Sequence, residues 1–245
     1  MDGHWIVLGA SSAMARAFAR RLAAAGCQIT LTGRDTADLA RTAADLTLRG
    51  AVDVAVLPLD LRAAPAALEP LLAHAAAGAG PVSVAVFAGS MPPQAAVERD
   101  PGLLSGLVAD NFTGAAALLL AVAPTITARG GTVVGVSSVA GDRGRVGNYA
   151  YGAAKAGFQT FLSGYRNRMA RAGVHVMTVK PGFVDTAMTW GLPGLFLVAS
   201  PEDVARDIET GLKRRRNVLY TPWFWLLIMT IIRLVPERVF KRLSI

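Results

Sequence analysis

A doubly wound α/β fold, with a seven-stranded parallel sheet flanked by helices and a C-terminal apolar and basic helical tail, is predicted from three observations. Val/Ile/Leu-rich runs at 5–8, 28–32, 52–57, 82–87, 132–136, 175–179 and 218–221 show no in/out alternation. Strands covered by helices on both faces read this way. Ala/Leu/Arg stretches of helical period near 13–25, 36–48, 65–77, 103–128, 149–172 and 201–214 separate the runs. Strands and helices alternating in this manner build a parallel sheet. Right-handed crossovers then gather the connecting loops that carry function at the carboxyl ends of the strands.

The 245 residues are 53% apolar, enough for a sizeable core and against disorder. No linker or internal repeat interrupts residues 1–212, so one domain (1–222) followed by a tail (223–245) is expected. A single cysteine, Cys27, cannot form an internal disulfide, and the N-terminal MDGHWIVLGASS has no charged signal-peptide start. Both point to the reducing cytoplasm. The net charge of +8 is unevenly spread: residues 1–212 carry 17 basic against 16 acidic side chains, and residues 213–245 carry 8 against 1. An excess confined to an apolar tail argues against nucleic acid as the partner. No metal site is expected.

The first strand runs into Gly9-Ala10-Ser11-Ser12-Ala13-Met14-Ala15 and then a helix. A small-residue turn there lets backbone N–H groups and the helix dipole approach a pyrophosphate, as in a Rossmann fold, although an ordinary strand-to-helix turn would look similar. The second strand ends in Gly33-Arg34, where a guanidinium suits a 2′-phosphate, so NADP(H) is favoured. Asp35 could instead reach a ribose hydroxyl, which leaves NAD(H) possible. Asp60, followed by Leu61, ends the third strand and could accept from an adenine amino group or cap a helix. Ala88-Gly89 ends the fourth, where a side chain on Gly89 would crowd a cofactor.

The fifth strand delivers Ser137 and Ser138 to the same edge, and Tyr151-Gly-Ala-Ala-Lys155 follows. Residues at i and i+4 share a helix face, so phenol and ammonium point into one volume. A nearby cation stabilises phenolate and is expected to lower the tyrosine pKa, making Tyr151 a general acid/base. Ser138 would hydrogen-bond the substrate oxygen while hydride moves. Tyr149 competes on paper, but only Tyr151 has a lysine four residues on.

In order and spacing, Gly9-Ala-Ser-Ser, Asn111, Ser137-Ser138-x-Ala-Gly, Tyr151-x-x-x-Lys155 and Pro181-Gly182-x-Val184-x-Thr186 resemble the short-chain dehydrogenase/reductase family over residues 4–222. The resemblance implies an oxidoreductase acting on a CH–OH/C=O group. It implies Tyr151 as proton donor, Lys155 on the nicotinamide ribose and tuning Tyr151, Ser138 orienting the carbonyl and Asn111 supporting a proton relay. It also implies cofactor contacts from Pro181, Gly182, Val184 and Thr186, the last facing the carboxamide, and a homo-oligomer. Ala13 and Ala15 depart from the family's later glycines, and Val86-Phe87-Ala88-Gly89 departs from its Asn-Asn-Ala-Gly.

The tail carries Trp223 and Trp225, an apolar helix and flanking arginines. The apolar stretch 223–235 is roughly 20 Å of helix, short of the roughly 30 Å hydrocarbon core. It suits an interfacial anchor on an anionic membrane at the inner face of the cell, or else an oligomer contact. Its Tyr-x-Pro-Trp-Phe-Trp opening and Gly141-Asp-Arg-Gly-Arg145 are similar to bacterial relatives of decaprenylphosphoryl-2-keto-ribose reductase. That similarity implies a keto-sugar on a polyprenyl phosphate as substrate, whose phosphate Arg143 and Arg145 could meet unless they are solvated loop charges. The alternatives are a reductase for an unrelated small carbonyl and a non-catalytic protein that senses the cofactor.

Overall fold

The computed structural model describes the chain except residues 64, 192, 193, 244 and 245 and the side chain of Pro65. Seven strands, β1 (His4–Leu8), β2 (Gln28–Gly33), β3 (Asp53–Pro58), β4 (Val82–Val86), β5 (Thr132–Val136), β6 (His175–Pro181) and β7 (Val218–Thr221), form one parallel sheet. Its order is β3-β2-β1-β4-β5-β6-β7. The chain leaves β1 for β2 on one side and resumes at β4 on the other, so the order reverses between β1 and β4. A crevice opens at the carboxyl ends of the strands at such a reversal.

Two apolar layers sandwich the sheet. On one face, α1 (Ala13–Ala24), α2 (Thr36–Leu48) and α8 (Pro201–Lys213) bury Phe18, Leu22, Leu39, Leu46, Val204 and Ile208. On the other, α3 (Glu69–Ala77), α6 (Gly114–Arg129) and α7 (Tyr149–Ala170) bury Leu71, Leu118, Leu119, Phe158 and Leu162. Local chemistry starts these helices where the spacing expects them. Asp35 accepts from the Asp38 amide at 3.0 Å to cap α2, and Ser200 accepts from Asp203 at 3.1 Å before Pro201 opens α8.

Three segments differ from the sequence expectation. The helix expected over 103–128 is broken into α5 (Leu103–Val108), a π-turn (Ala109–Thr113) and α6. Periodicity cannot show one extra residue in a turn, and here that turn carries Asn111 into the interior. The segment 65–77 begins as a 3-10 turn (Pro65–Leu68) before α3, and α4 (Gln94–Arg99) is a short helix that six residues of weak pattern do not announce. The tail forms α9 (Trp225–Leu234) and α10 (Glu237–Phe240), beginning after a turn in which the Trp225 amide donates to Pro222 at 3.1 Å.

The tail is docked on the body. Trp225, Met229 and Val139 form a separate small core, joined by Phe183 and Tyr220. Burying such an indole contributes about 2–3 kcal/mol.

Candidate active site

At the β1–β4 reversal lies a cleft of about 470 Å³, lined by Gly9, Ser11, Ser12, Met14, Arg34, Asp60, Leu61, Ala88, Gly89 and Thr186 among others. Gly9 has φ +74°, and a Cβ there would stand 2.6 Å from the Ala88 amide nitrogen. Glycine is therefore required for the turn after β1 to cross the end of β4, whatever fills the cleft. Arg34 is exposed at the rim, while the Asp35 carboxylate is engaged as the α2 cap. Asp60 accepts from the Arg62 amide at 2.9 Å in its own loop. Spacing also missed Arg16, which lines the cleft and pairs with Asp38, and Asp110, which receives Arg62 at 2.6 and 2.8 Å. Burial opposes ionisation of Asp110, but hydrogen bonds from Arg62 and Ser90 outweigh it and hold the carboxyl below its usual range.

Beyond Gly89 the cleft meets the polar cluster. Tyr151 and Lys155 lie on one face of α7, both buried, and the Lys155 ammonium stands 5.8 Å from the Tyr151 ring centroid. Lys155 Nζ donates to the carbonyls of Val136 (3.3 Å) and Ala88 (3.5 Å), and a Cβ on Gly89 would come within 3.2 Å of it. Asn111 donates to Ser90 (2.7 Å) and Leu107 (2.9 Å), and its buried Oδ1 has no partner among the described residues. Ser138 accepts from the Ala140 amide at 3.1 Å and lies close enough to the Tyr151 phenol to favour its ionised form.

Gln159 holds this arrangement together and was not singled out from sequence. Its Nε2 donates to Ser138 O at 2.8 Å and Ser137 Oγ at 3.1 Å, which ties the end of β5 to α7. Continuing the i, i+4 spacing from Tyr151 and Lys155 by one more turn reaches it.

The electrostatics correct one expectation. The Lys155 ammonium turns to backbone carbonyls, and the groups seen to favour the Tyr151 phenolate are Ser138 and Arg145. Burial pushes the phenol up to about 12, opposed by Ser138 and by the charge of Arg145. Burial likewise brings Lys155 down to about 8. Tyr149 is excluded from the site: it is exposed, and its hydroxyl donates to Glu98 at 2.9 Å.

After β6, Thr186 reaches the cleft, whereas Pro181 closes the strand and Val184 is buried in a bridge to Ala199. Gly182 faces the tail: a Cβ there would overlap the Trp225 indole. Arg143 is not a solvated loop charge. It donates to the carbonyls of Ile232 and Val235, both at 2.6 Å, pairs with Glu237 and stacks on Phe240, so the tail holds it.

Residues 4–193 match the family model described as short chain dehydrogenase. The chain belongs to the short-chain dehydrogenase family. Among its relatives, an uncharacterized oxidoreductase of Mycobacterium tuberculosis is 35% identical over 240 residues, covering 97% of this chain and 96% of the relative. Sulfoacetaldehyde reductase 2 of Chromohalobacter salexigens is 34% identical over 187 residues, 75% of this chain and 73% of that one. The solved structure of a short-chain dehydrogenase from Sphingobium yanoikuyae in complex with NADPH superposes with a TM-score of 0.80 at 26% identity, covering 97% of both chains. This short-chain dehydrogenase is accordingly an oxidoreductase with the seven-stranded Rossmann-like sheet of its family.

Proposed function

We propose that this short-chain dehydrogenase is an NADPH-dependent carbonyl reductase that works at a membrane surface on a keto-sugar carried by a polyprenyl phosphate. The observation that carries the reductase reading is the junction, at Gly89, of the cleft with the cluster of half-buried Ser138 and buried Tyr151 and Lys155. The cleft fits a dinucleotide: small residues line the turn after β1, and Asn111, behind Gly89, offers a buried acceptor with no partner among the described residues. Arg34 is left free to take a 2′-phosphate, since Asp35 is spent on its helix. The Sphingobium relative binds NADPH, and the Chromohalobacter relative is named for reducing a carbonyl.

When bound, the cofactor supplies hydride to the carbonyl carbon. Tyr151, kept protonated by burial, donates its phenolic proton to the carbonyl oxygen, so that C=O becomes CH–OH. Ser138 donates a hydrogen bond to that oxygen and holds it against the phenol. Lys155, beside Gly89 of the cleft, would bind the nicotinamide ribose, and Gln159 fixes the Ser138 backbone. Excluding water from this pocket strengthens each of these interactions.

Membrane attachment is supported by what the tail leaves uncovered. Trp223, Leu226, Leu227, Ile231 and Leu234 are exposed, as are Trp190, Phe196 and Leu197 of the segment after Thr186. Arg214, Arg215, Arg216, Arg233, Arg238, Lys241 and Arg242 are basic neighbours in sequence. Apolar insertion with attraction to anionic lipid is the physics of an interfacial helix. Nucleotide titration and turnover of a polyprenyl-phosphate keto-pentose, with co-sedimentation on phosphatidylglycerol vesicles, test the reading. Tighter NADPH than NADH binding, turnover, and sedimentation lost on deleting 223–245 are expected. NADH preference defeats the cofactor assignment, and dimerisation through the tail without vesicle binding makes the exposed face a subunit contact.

A further inference from the structure

Two arginines stand two residues apart on the loop that leads from Ser138 to α7, and they have opposite fates. Arg143 is held by acceptors from the tail. Arg145 is half-buried, makes no ion pair or side-chain hydrogen bond among the described residues, and its Nε is buried without an acceptor. Its carboxylate neighbour in sequence, Asp142, favours the Arg145 charge but spends its oxygens on Lys180 at 2.6 Å and on the Tyr220 hydroxyl at 2.7 Å. A partly desolvated guanidinium with unspent donors is costly unless something pairs with it.

The same corner holds two more unsatisfied groups. Gln94 accepts the Ala150 amide through Oε1 at 3.1 Å, which anchors it beside the first turn of α7, and its Nε2 is buried without a partner. Asn148 immediately precedes α7, and its buried Oδ1 is equally unused. Gln94, Arg145 and Asn148 thus place unfilled donors and an acceptor around the helical turn that presents Tyr151. Arg145 and Tyr151 sense each other's charge, the guanidinium favouring phenolate. The nucleotide cleft does not include any of the three.

We propose that Arg145, with Gln94 and Asn148, forms a substrate subsite that receives an anionic oxygen group, a phosphoester, carboxylate or sulfonate, carried near the carbonyl that Tyr151 protonates. The guanidinium pairs with the anion, the Gln94 amide donates to it or to a neighbouring oxygen, and Asn148 accepts from a substrate hydroxyl. This rests on the reductase reading and deepens it, since it says which carbonyl compounds the site prefers. Arg145 is a specificity residue here, and its charge also assists the phenol.

The test uses matched ketones that differ only in charge: 2-oxopropylphosphonate against its dimethyl ester, 3-oxobutanoate against its methyl ester, and 2-oxopropanesulfonate against its methyl ester. Their binding is titrated calorimetrically with and without NADP+, which requires no turnover. The anion of at least one pair is expected to bind about tenfold or more tightly than its ester, as a charge-assisted contact gives, and the best pair identifies the anion class. Arg145→Gln is expected to reduce that preference to within about threefold. Arg145→Lys, which keeps charge and bulk, is expected to retain part of it. Equal binding of anion and ester by the parent protein, or a parent-like preference in both variants, overturns the subsite. Turnover is measured separately with NADPH. Anion preference without reduction defeats the reductase reading and leaves the subsite, whereas reduction of both partners without preference does the reverse.

Discussion

Arg143 Nη1 donates to the carbonyl oxygen of Ile232 at 2.6 Å and so fastens the loop that follows Ser138 to the last turn of the tail helix α9. Cations are favoured at helix C-termini, where carbonyls lack intrahelical partners. Arg143→Ala should therefore free the tail, at a cost of about 2 kcal/mol for hydrogen bonds to a charged group. Hydrogen exchange is expected to quicken over residues 225–240 while the strands stay protected. Unchanged exchange in the tail would remove this contact as its anchor.

Gly182 and Trp225 make a second link between the tail and the body. Gly182→Ala forces a methyl into the indole, an overpacking that costs about 1–3 kcal/mol. Pairing it with Trp225→Leu should recover part of the loss, because the smaller side chain vacates the overlap. A double-mutant cycle read by denaturant midpoints checks this, and additive losses would contradict it.

Much of this architecture could be read from the residues alone, because unalternating Val/Ile/Leu strands and small-residue turns are local features. Tyr151 and Lys155 were legible for the same reason: an i, i+4 pair is fixed by helix geometry. The π-turn at Asn111 was not, since a single inserted residue barely disturbs a period. Nor were the separate fates of Arg143 and Arg145, which depend on contacts with Ile232 and Val235 some ninety residues away. The direction of the Lys155 ammonium, toward the Val136 and Ala88 carbonyls, was not legible either, because spacing sets which face a side chain occupies and not where its terminal atom turns.

Arg34 is expected to distinguish the two nicotinamide nucleotides. Arg34→Ala should weaken NADPH binding by about five- to tenfold, the discounted worth of an exposed charge-assisted pair, and leave NADH affinity within twofold. Fluorescence titration with both nucleotides measures it. An equal loss for both would move the 2′-phosphate contact elsewhere, with Arg16 the next cation in the cleft.

Lys155 gives a pH dependence with a defined sign. Its folded-state pKa is about 8 against an ordinary 10.5, so between those values the unfolded chain holds more protons and stability rises with pH. The nucleotide-free protein should gain up to about 3 kcal/mol over that window relative to Lys155→Met, at about 1.4 kcal/mol per unit. If Lys155 binds the ribose as proposed, binding runs the other way: kcat/KM for NADPH should fall above pH about 8 as its ammonium loses its proton. Flat profiles in both measurements would show that Lys155 does not titrate there.

The proton donor is the centre of the account. Stopped-flow reduction of a ketone by Tyr151→Phe, with NADPH affinity measured on the same sample, addresses it directly. Turnover is expected to fall by about a hundredfold or more while the nucleotide binds within threefold of the parent protein. Parent-like turnover by the phenylalanine variant would contradict the mechanism.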